Sequence, residues 1–306
     1  MHLSDYGRRK RVSIGANWLP MQSALTARQI AVLAVRSLHA ELCLYPKPGL
    51  VSLRDNGSHS DMHPALFMRS LFSLRHYFKH MARLGMRVAA FTELKQAGML
   101  AEQQMLRATA QVNTHRGAIF ALGMLCAAIG ACVAQSRALA AAEVRRVLQQ
   151  NWGSALQLHA AVVAVVADSH GQAAAQRYAV SGAREEAALG FPSVFEIALP
   201  LLQHRLAQGG SAQQARVDCL FSLIAGLSDT NLYHRGGAAG AAYARAAAAE
   251  FLAAGGSAQP AWFEQAQTCH RQFVARRLSP GGAADLLAAC CLLQQLEQFS
   301  AGALDG

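Results

Sequence analysis

Long apolar stretches with helical spacing alternate along the chain with short polar segments rich in glycine. In residues 22–43 the apolar side chains recur every three or four positions, as in a helix with one buried face. No segment alternates apolar and polar residues as a strand does. The same helical pattern predicts further helices at residues 64–84, 92–110, 118–134, 140–150, 154–167, 194–207, 212–227, 238–253, 262–278 and from about 281 onward. The sequence therefore predicts an all-α fold: a single-domain bundle of about ten or more helices, with a cleft formed by inter-helix loops.

Residues 118–134 carry no charged side chain, which raises the question of a membrane span. The segment is slightly short for that purpose and is rich in Ala, Gly and Cys rather than Leu and Ile. We interpret it as a central buried helix and expect no membrane association.

Composition changes this picture in two respects. The formal net charge is +10, which is compatible with nucleic acid, anionic lipid or a polyanionic small substrate and does not choose among them. The seven cysteines show no CxxC pair, which favours reduced thiols in a cytoplasmic protein over a disulfide framework.

Residues 1–20 contain the basic run Arg8–Arg11 and no apolar run after it. We expect a disordered basic tail there, followed by one helical catalytic domain at residues 21–306.

Four polar segments interrupt the helices and combine basic side chains with glycines or helix starts. They are residues 45–62, 113–117, 182–193 and 229–237, with a weaker fifth at 279–285. A solvated surface needs no such clustering, so we expect these segments to meet at one cleft.

Two local patterns strengthen this expectation. Glu41 lies near the end of the first helix, where the helix dipole disfavours a carboxylate. His115 and Arg116 lie in a first helical turn, after Asn113 or Thr114 as N-cap, where a cation is disfavoured unless an anion binds there. A solvated Glu41 and an exposed Arg116 are the plain alternatives.

The candidate residues fit a nucleotide triphosphate with a metal ion. Arginine and lysine bind phosphate oxygens, carboxylates and phosphates hold Mg²⁺, and histidines bind phosphate or move protons. Arg184, beside Glu185 and Glu186, is either part of a surface ion-pair cluster or a buried phosphate ligand. No P-loop and no dinucleotide-binding glycine motif occurs in the chain. The candidates are Lys47, Arg54, Arg116, Arg184 and Arg235 for phosphate; Glu41, Asp61 and Asp229, with Asp285 as a further choice, for Mg²⁺; and His59, His115 and His234 for phosphate or protons.

Five motifs together resemble the triphosphoribosyl-dephospho-coenzyme A synthases, and their likeness is greater to the malonate decarboxylase branch. The resemblance runs from about residue 26 to 295, in order. The motifs are PKPGLVSLRDNGSHSDM, NTHRGAIFALG, GAREEAALGFPSV, DTNLYHRGG and SPGGAADLLA.

The resemblance implies an all-α enzyme that uses ATP and 3′-dephospho-CoA. Such an enzyme joins the ribose C1 of ATP to the 2′-hydroxyl of the dephospho-CoA ribose and releases adenine. The product would be the prosthetic-group precursor that a separate transferase delivers to the acyl carrier subunit of malonate decarboxylase. Our hypothesis assigns Asp61 and Asp229 to metal or oxocarbenium stabilisation, and His59 or His234 to proton transfer. We also expect a homodimer as one assembly to test.

Two other functions stay open at this point. A basic helical protein could bind RNA or DNA, although carboxylates inside the polar segments would repel a phosphate backbone unless a metal intervenes. Another Mg²⁺-dependent helical nucleotide hydrolase or transferase would use the same residue types.

Overall fold

The chain is described by a computed structural model that covers residues 25–163 and 183–302. Helices account for all of its regular structure, and these two ranges contain no strand, so the prediction of an all-α fold is confirmed. The basic tail predicted for residues 1–20 lies outside the described residues. The helices are α1 (Ala27–Cys43), α2 (Pro64–Ser73), α3 (Arg75–Met86), α4 (Phe91–Ala108), α5 (Arg116–Ala134), α6 (Ala141–Val163), α7 (Ala183–Ala188), α8 (Leu199–Ala207), α9 (Ala212–Gly226), α10 (Thr230–Ala253), α11 (Trp262–Ala275) and α12 (Gly281–Ser300), with a π-helical turn (Ser193–Ala198) and a 3₁₀ turn (Gly256–Ala258).

Helix α5 lies at the centre of the bundle. It packs against α1, α3, α4, α6 and α12, and the buried apolar side chains form one continuous core from α1 to α12. Within the described ranges it is the one helix long and apolar enough to cross a membrane, and 78% of its most apolar window is buried inside the protein. The prediction of a central buried helix is therefore confirmed.

Glycines bring α3 and α5 into backbone contact. A Cβ added to Gly85 of α3 would overlap the carbonyl of Ala127, and one added to Gly130 of α5 would overlap the carbonyl of Ala82. The two contacts are reciprocal along one helix pair. Small residues at these positions therefore set the distance between the two helices.

Several predicted helix boundaries differ from the structure. The helix predicted at 64–84 is divided at Leu74, whose N–H bonds to Leu71, three residues earlier, instead of four. The helices predicted at 140–150 and 154–167 are one helix through residue 163, because Gly153 is tolerated inside it. The end of the second prediction lies outside the described residues.

Residues 230–237 form the start of α10, which corrects the prediction that this helix begins at residue 238. Asp229 is the N-cap of α10, and its side chain accepts a hydrogen bond from the N–H of Asn231. Gly237 interrupts this helix with φ 62° and ψ −164°, a conformation that glycine adopts without strain. The first two turns of α10 are therefore set at an angle to the rest.

All seven cysteines lie in the described residues and are free thiols. Cys43 is exposed and the other six are buried.

Candidate active site

The loop between α1 and α2, residues 44–63, packs against the junction of α11 and α12. Ser58 donates a hydrogen bond to the carbonyl of Leu278 over 2.6 Å, and a Cβ on Gly49 would overlap that same carbonyl. The Nε2 of His59 lies 2.9 Å from Ser279 Oγ. Residues 45–62 and 279–285, predicted to meet, are in direct contact.

Arg235 brings the start of α10 to the same place. Its guanidinium donates to the carbonyl of Ser58 over 3.2 Å and to Nδ1 of His59 over 2.9 Å. Because a guanidinium can only donate, Nδ1 accepts and Nε2 carries the proton shared with Ser279. Burial, and then the charge of Arg235, lower the pKa of His59 to about 4. His59 is therefore a neutral imidazole at pH 7.

Asp229 joins two helix starts. Its Oδ1 accepts hydrogen bonds from the N–H and the side-chain amide of Asn231 over 2.9 and 3.1 Å. Its Oδ2 accepts from the N–H of Ala283, in the first turn of α12, over 3.0 Å. Burial raises the pKa of Asp229, against the opposing effect of these hydrogen bonds. One buried carboxyl thus positions both α10 and α12.

Asp285 connects α12 to the start of α5. Its carboxyl packs against Gly117, where no larger residue would fit, and accepts a hydrogen bond from the N–H of Ala118. Burial, and then the nearby carboxylates of Asp229 and Glu41, raise the pKa of Asp285 well above its usual range. The protein therefore places one of its own carboxyl groups at the first turn of α5, and an anion bound by His115 and Arg116 stays a prediction.

Lys47 and Glu41 form a buried ion pair. Lys47 Nζ donates to Glu41 Oε1 over 2.6 Å and to the carbonyl of Glu41 over 2.9 Å, and Lys47 is fully buried. The ammonium compensates the dipole at the end of α1 as well as the carboxylate. Two of the three hydrogens of Lys47 are used in this way, which leaves one for a ligand.

His115 is held by two hydroxyl groups. Its Nδ1 lies 2.6 Å from Ser70 Oγ, and Thr114 donates to the same Ser70 oxygen over 2.7 Å. The ring packs edge-on against Phe67. Burial, and then the charge of Lys47, lower the pKa of His115 to about 3. The charge of Lys47 therefore acts on His115, whereas the direct contact of residues 113–117 with another polar segment is that of Gly117 with Asp285.

Other predicted residues lie at the rim of the site or point elsewhere. Arg54 is exposed and stacks over the ring of Tyr45, 4.8 Å from its centroid. The side chain of Asp61 is 59% exposed, and its Oδ1 lies 3.8 Å from His59 Nδ1. Arg116 forms an ion pair with Glu102 of α4. His234 is exposed in the first turn of α10.

The described part of the segment 182–193, residues 183–193, packs on α6. The charge of Arg184 lowers the pKa of His159 on α6, after the larger effects of burial and Lys95. Glu186 is buried and accepts hydrogen bonds from the hydroxyl and the N–H of Ser193. This segment therefore braces α7 against the following turn, and its role in ligand binding stays a prediction.

Ser70 and the central position of Asp285 were not predicted. Ser70 lies in an ordinary helical pattern without a sequence signal. Asp285 lies five residues after Pro280, where a capping role was the plain interpretation. Only the packing of α12 on α5 shows that this carboxyl is shared between them.

No ready-made metal site occurs in residues 25–163 and 183–302, since no group of three or more His, Cys, Asp or Glu side chains there could hold an ion. A separate groove of about 330 Å³ lies between α3 and α4, lined among others by His76, His80 and Leu100. It includes none of the predicted site residues.

Comparison with known proteins places the chain in a family. Residues 27–303 match the family model described as ATP:dephospho-CoA triphosphoribosyl transferase. The chain is 40% identical over 271 residues to a probable 2-(5''-triphosphoribosyl)-3'-dephosphocoenzyme-A synthase of Acinetobacter calcoaceticus, covering 89% of this chain and 92% of the relative. It is 42% identical over 278 residues to a protein of the same description from Pseudomonas aeruginosa strain UCBPP-PA14, with 89% and 92% covered. No solved structure matches the chain.

The fold and the site define an all-α protein whose inter-helix segments enclose buried carboxyl groups, and the family match makes it a transferase. The chain belongs to the ATP:dephospho-CoA triphosphoribosyl transferase family.

Proposed function

We propose that the protein transfers the triphosphoribosyl group of ATP to the ribose 2′-hydroxyl of 3′-dephospho-CoA and releases adenine. Family membership supports this activity. The observation that carries it is the buried cluster of Glu41, Asp229 and Asp285, with Lys47 as the cation paired to it. Cleavage of the bond between ribose and adenine builds positive charge on the ribose, and buried carboxylates stabilise such charge strongly.

The surroundings of the carboxyl groups suit them to different roles. Asp229 is fixed by donors from two helices, so it is suited to a constant electrostatic role. Asp285, whose pKa is raised, is suited to exchange a proton with the attacking 2′-hydroxyl or the leaving adenine. His59 could act in this way only after releasing Arg235 or Ser279, and His234 remains a second candidate.

The triphosphate would lie at the rim, where the cations are. Arg235 lies near the exposed Asp61, and Arg54 is exposed on the same loop. Arg116 and Arg184 remain candidates for phosphate from the sequence, and Lys47, which is fully buried, has one hydrogen that Glu41 does not use. Charge of this kind orients a polyanion without breaking it.

Mg²⁺, when bound, supplies positive charge that neutralises the triphosphate oxygens. The three carboxylates predicted to hold Mg²⁺ fit that role only in part. Asp229 has both oxygens engaged and Glu41 Oε1 is paired, whereas Asp61 is exposed beside the rim cations. Because Mg²⁺ is commonly held by one or two carboxylates together with substrate phosphates, Asp61 is the best ligand of the three.

The proposal extends to the use of the product, to the location of the protein in the cell and to its oligomeric state. On the motif resemblance, we assign the product to the prosthetic-group precursor of malonate decarboxylase, delivered to its acyl carrier subunit by a separate transferase. The free thiols support a cytoplasmic location. Sedimentation velocity would test the expected homodimer.

Adenine release is the decisive test. The protein is incubated with Mg²⁺ and 3′-dephospho-CoA plus either ATP or its β,γ-imido analogue, and the products are separated by chromatography. Both nucleotides should release adenine, because no phosphate bond breaks. Formation of ADP or AMP with phosphate would show a hydrolase instead. Absence of adenine, with nucleic-acid affinity that falls steeply with salt, would favour a nucleic-acid-binding protein.

A further inference from the structure

Two consecutive residues at the start of α5 each carry a buried nitrogen without a hydrogen-bond partner. Among the described residues three such side-chain atoms occur: His115 Nε2, Arg116 Nε and Arg145 Nε. Leaving a buried donor unpaired costs about 1–3 kcal/mol. Two such atoms on consecutive residues point to a ligand atom that would pair with them.

The hydroxyl pair fixes which nitrogen of His115 carries the hydrogen. Thr114 donates to Ser70 Oγ, so the hydrogen of Ser70 is left to donate to His115 Nδ1. Nε2 then carries the ring hydrogen and is a donor. With its pKa lowered to about 3, the ring is neutral at pH 7 and donates without adding charge.

The backbone of this helix start is largely engaged by the protein. The N–H of Arg116 bonds to Asn113 Oδ1, and the N–H of Ala118 bonds to Asp285. The two side-chain nitrogens are therefore the donors that we assign to a ligand. Both are donors only, so their common partner is an acceptor, and an anionic oxygen gives the strongest hydrogen bonds.

We propose that His115 Nε2–H and Arg116 Nε–H together bind a phosphoryl oxygen of a substrate. This rests on the proposed function for its source, which is the triphosphate of ATP or the diphosphate of 3′-dephospho-CoA. His115 is 3% exposed, so neighbouring side chains must shift to admit the oxygen. Ser70 and Thr114 are positioning residues that keep the hydrogen on Nε2.

A matched pair of variants tests this contact. His115→Gln places an amide near the position of Nε2, whereas His115→Asn places it near Nδ1 and removes the donor. The affinity for inorganic tripolyphosphate, measured by calorimetry, should fall about tenfold in H115N and much less in H115Q, as for one hydrogen bond to a charged group. Adenosine, which has no phosphate, should bind equally to both variants and to the wild type.

Arg116→Lys provides a second variant if the histidine variants fold poorly. It keeps the cation near Glu102 and removes the Nε–H, so the affinity for tripolyphosphate should fall several-fold. The same titrations with 3′-dephospho-CoA identify the source: a loss for that ligand alone assigns the contact to its diphosphate. Wild-type affinity of folded H115N and R116K for both ligands would overturn the proposal, as would an equal loss for adenosine.

These measurements are independent of turnover. If the wild type binds tripolyphosphate through His115 and releases no adenine, the proposed function fails and the phosphoryl site stands. If the wild type releases adenine while H115N and R116K bind both ligands with wild-type affinity, the proposed function stands and the phosphoryl site fails.

Discussion

At the scale of single residues, Lys47 and Glu41 form a buried ion pair near the site. Both side chains are almost completely removed from solvent. Removing one partner of such a pair leaves an uncompensated buried charge, which costs about 3–5 kcal/mol. Lys47→Met should lower the free energy of unfolding by that amount, as measured by urea denaturation.

The control for Lys47→Met is the double variant Lys47→Met, Glu41→Leu, which removes both charges. It should recover most of the lost stability. A loss below about 1 kcal/mol in the single variant would contradict the burial of the pair.

His59 and Arg235 allow a second prediction. The charge of Arg235 is one of two causes that lower the pKa of His59 to about 4, so Arg235→Gln should raise this pKa towards 6.5. Histidine NMR signals followed from pH 3 to 8 would show it. Arg276→Gln is the matched control, because Arg276 stacks on Tyr243, away from His59.

The same pKa has a consequence for stability. Because the folded-state pKa lies below the unfolded value, the unfolded chain binds the proton first as the pH falls. This contribution to stability is therefore lost between about pH 6.5 and 4. The loss should be smaller in Arg235→Gln, and an identical pH dependence would refute the assignment.

At the scale of helices, the contact between α3 and α5 depends on two glycines. Alanine at Gly85 or Gly130 would press a methyl group against a carbonyl of the facing helix. Each substitution should lower the free energy of unfolding by about 1–3 kcal/mol, the usual cost of overpacking.

Gly153 is the control, since a Cβ there would meet only ordinary contacts on α6. Gly153→Ala should raise stability by about 0.5–1 kcal/mol through helix propensity. In thermal melts, the melting temperature should fall for alanine at Gly85 or Gly130 and rise for Gly153→Ala. The same sign in all three would mean that the helices do not touch as described.

The helices themselves could be predicted where local chemistry decides them. Thr26, a residue type that caps helices, begins α1 with a capping box, and the apolar face of that helix is buried as predicted. The break at Leu74 and the helical form of residues 230–236 could not be predicted, because packing against other elements decides them. From the sequence alone Asp229 looks like a loop residue, because its contact with the start of α12 depends on tertiary packing.

At the scale of the whole molecule, the contacts of residues 45–62 with 229–237 and 279–285 could be predicted from their shared composition, whereas residues 183–193 pack on α6 instead. The partners of individual side chains could not be predicted. Arg116 bonds to Glu102, and Lys47 to Glu41, because long flexible side chains choose among acids that only the fold brings near. The sequence distinguishes residue types, whereas tertiary packing decides which charges neutralise each other.

The basic N-terminal segment offers a prediction at this scale. The family match begins at residue 27, so a chain that starts at Met21 should keep the full activity. Adenine release within about twofold of the full-length rate, a change below ~0.4 kcal/mol in activation free energy, is the expected result. A large loss of activity with an unchanged melting temperature would give residues 1–20 a direct part in the reaction.

The two helix starts that share Asp229 have a consequence for how this family can vary. An amide accepts hydrogen bonds at one oxygen only, so Asp229→Asn would leave either Asn231 or Ala283 without its acceptor. Gly282 packs against the same carboxyl, and a Cβ there would lie 3.1 Å from it, so that the carboxyl would have to shift. Positions 229 and 281–283 should therefore evolve together, and a substitution at one should persist only with a compensating change at the other.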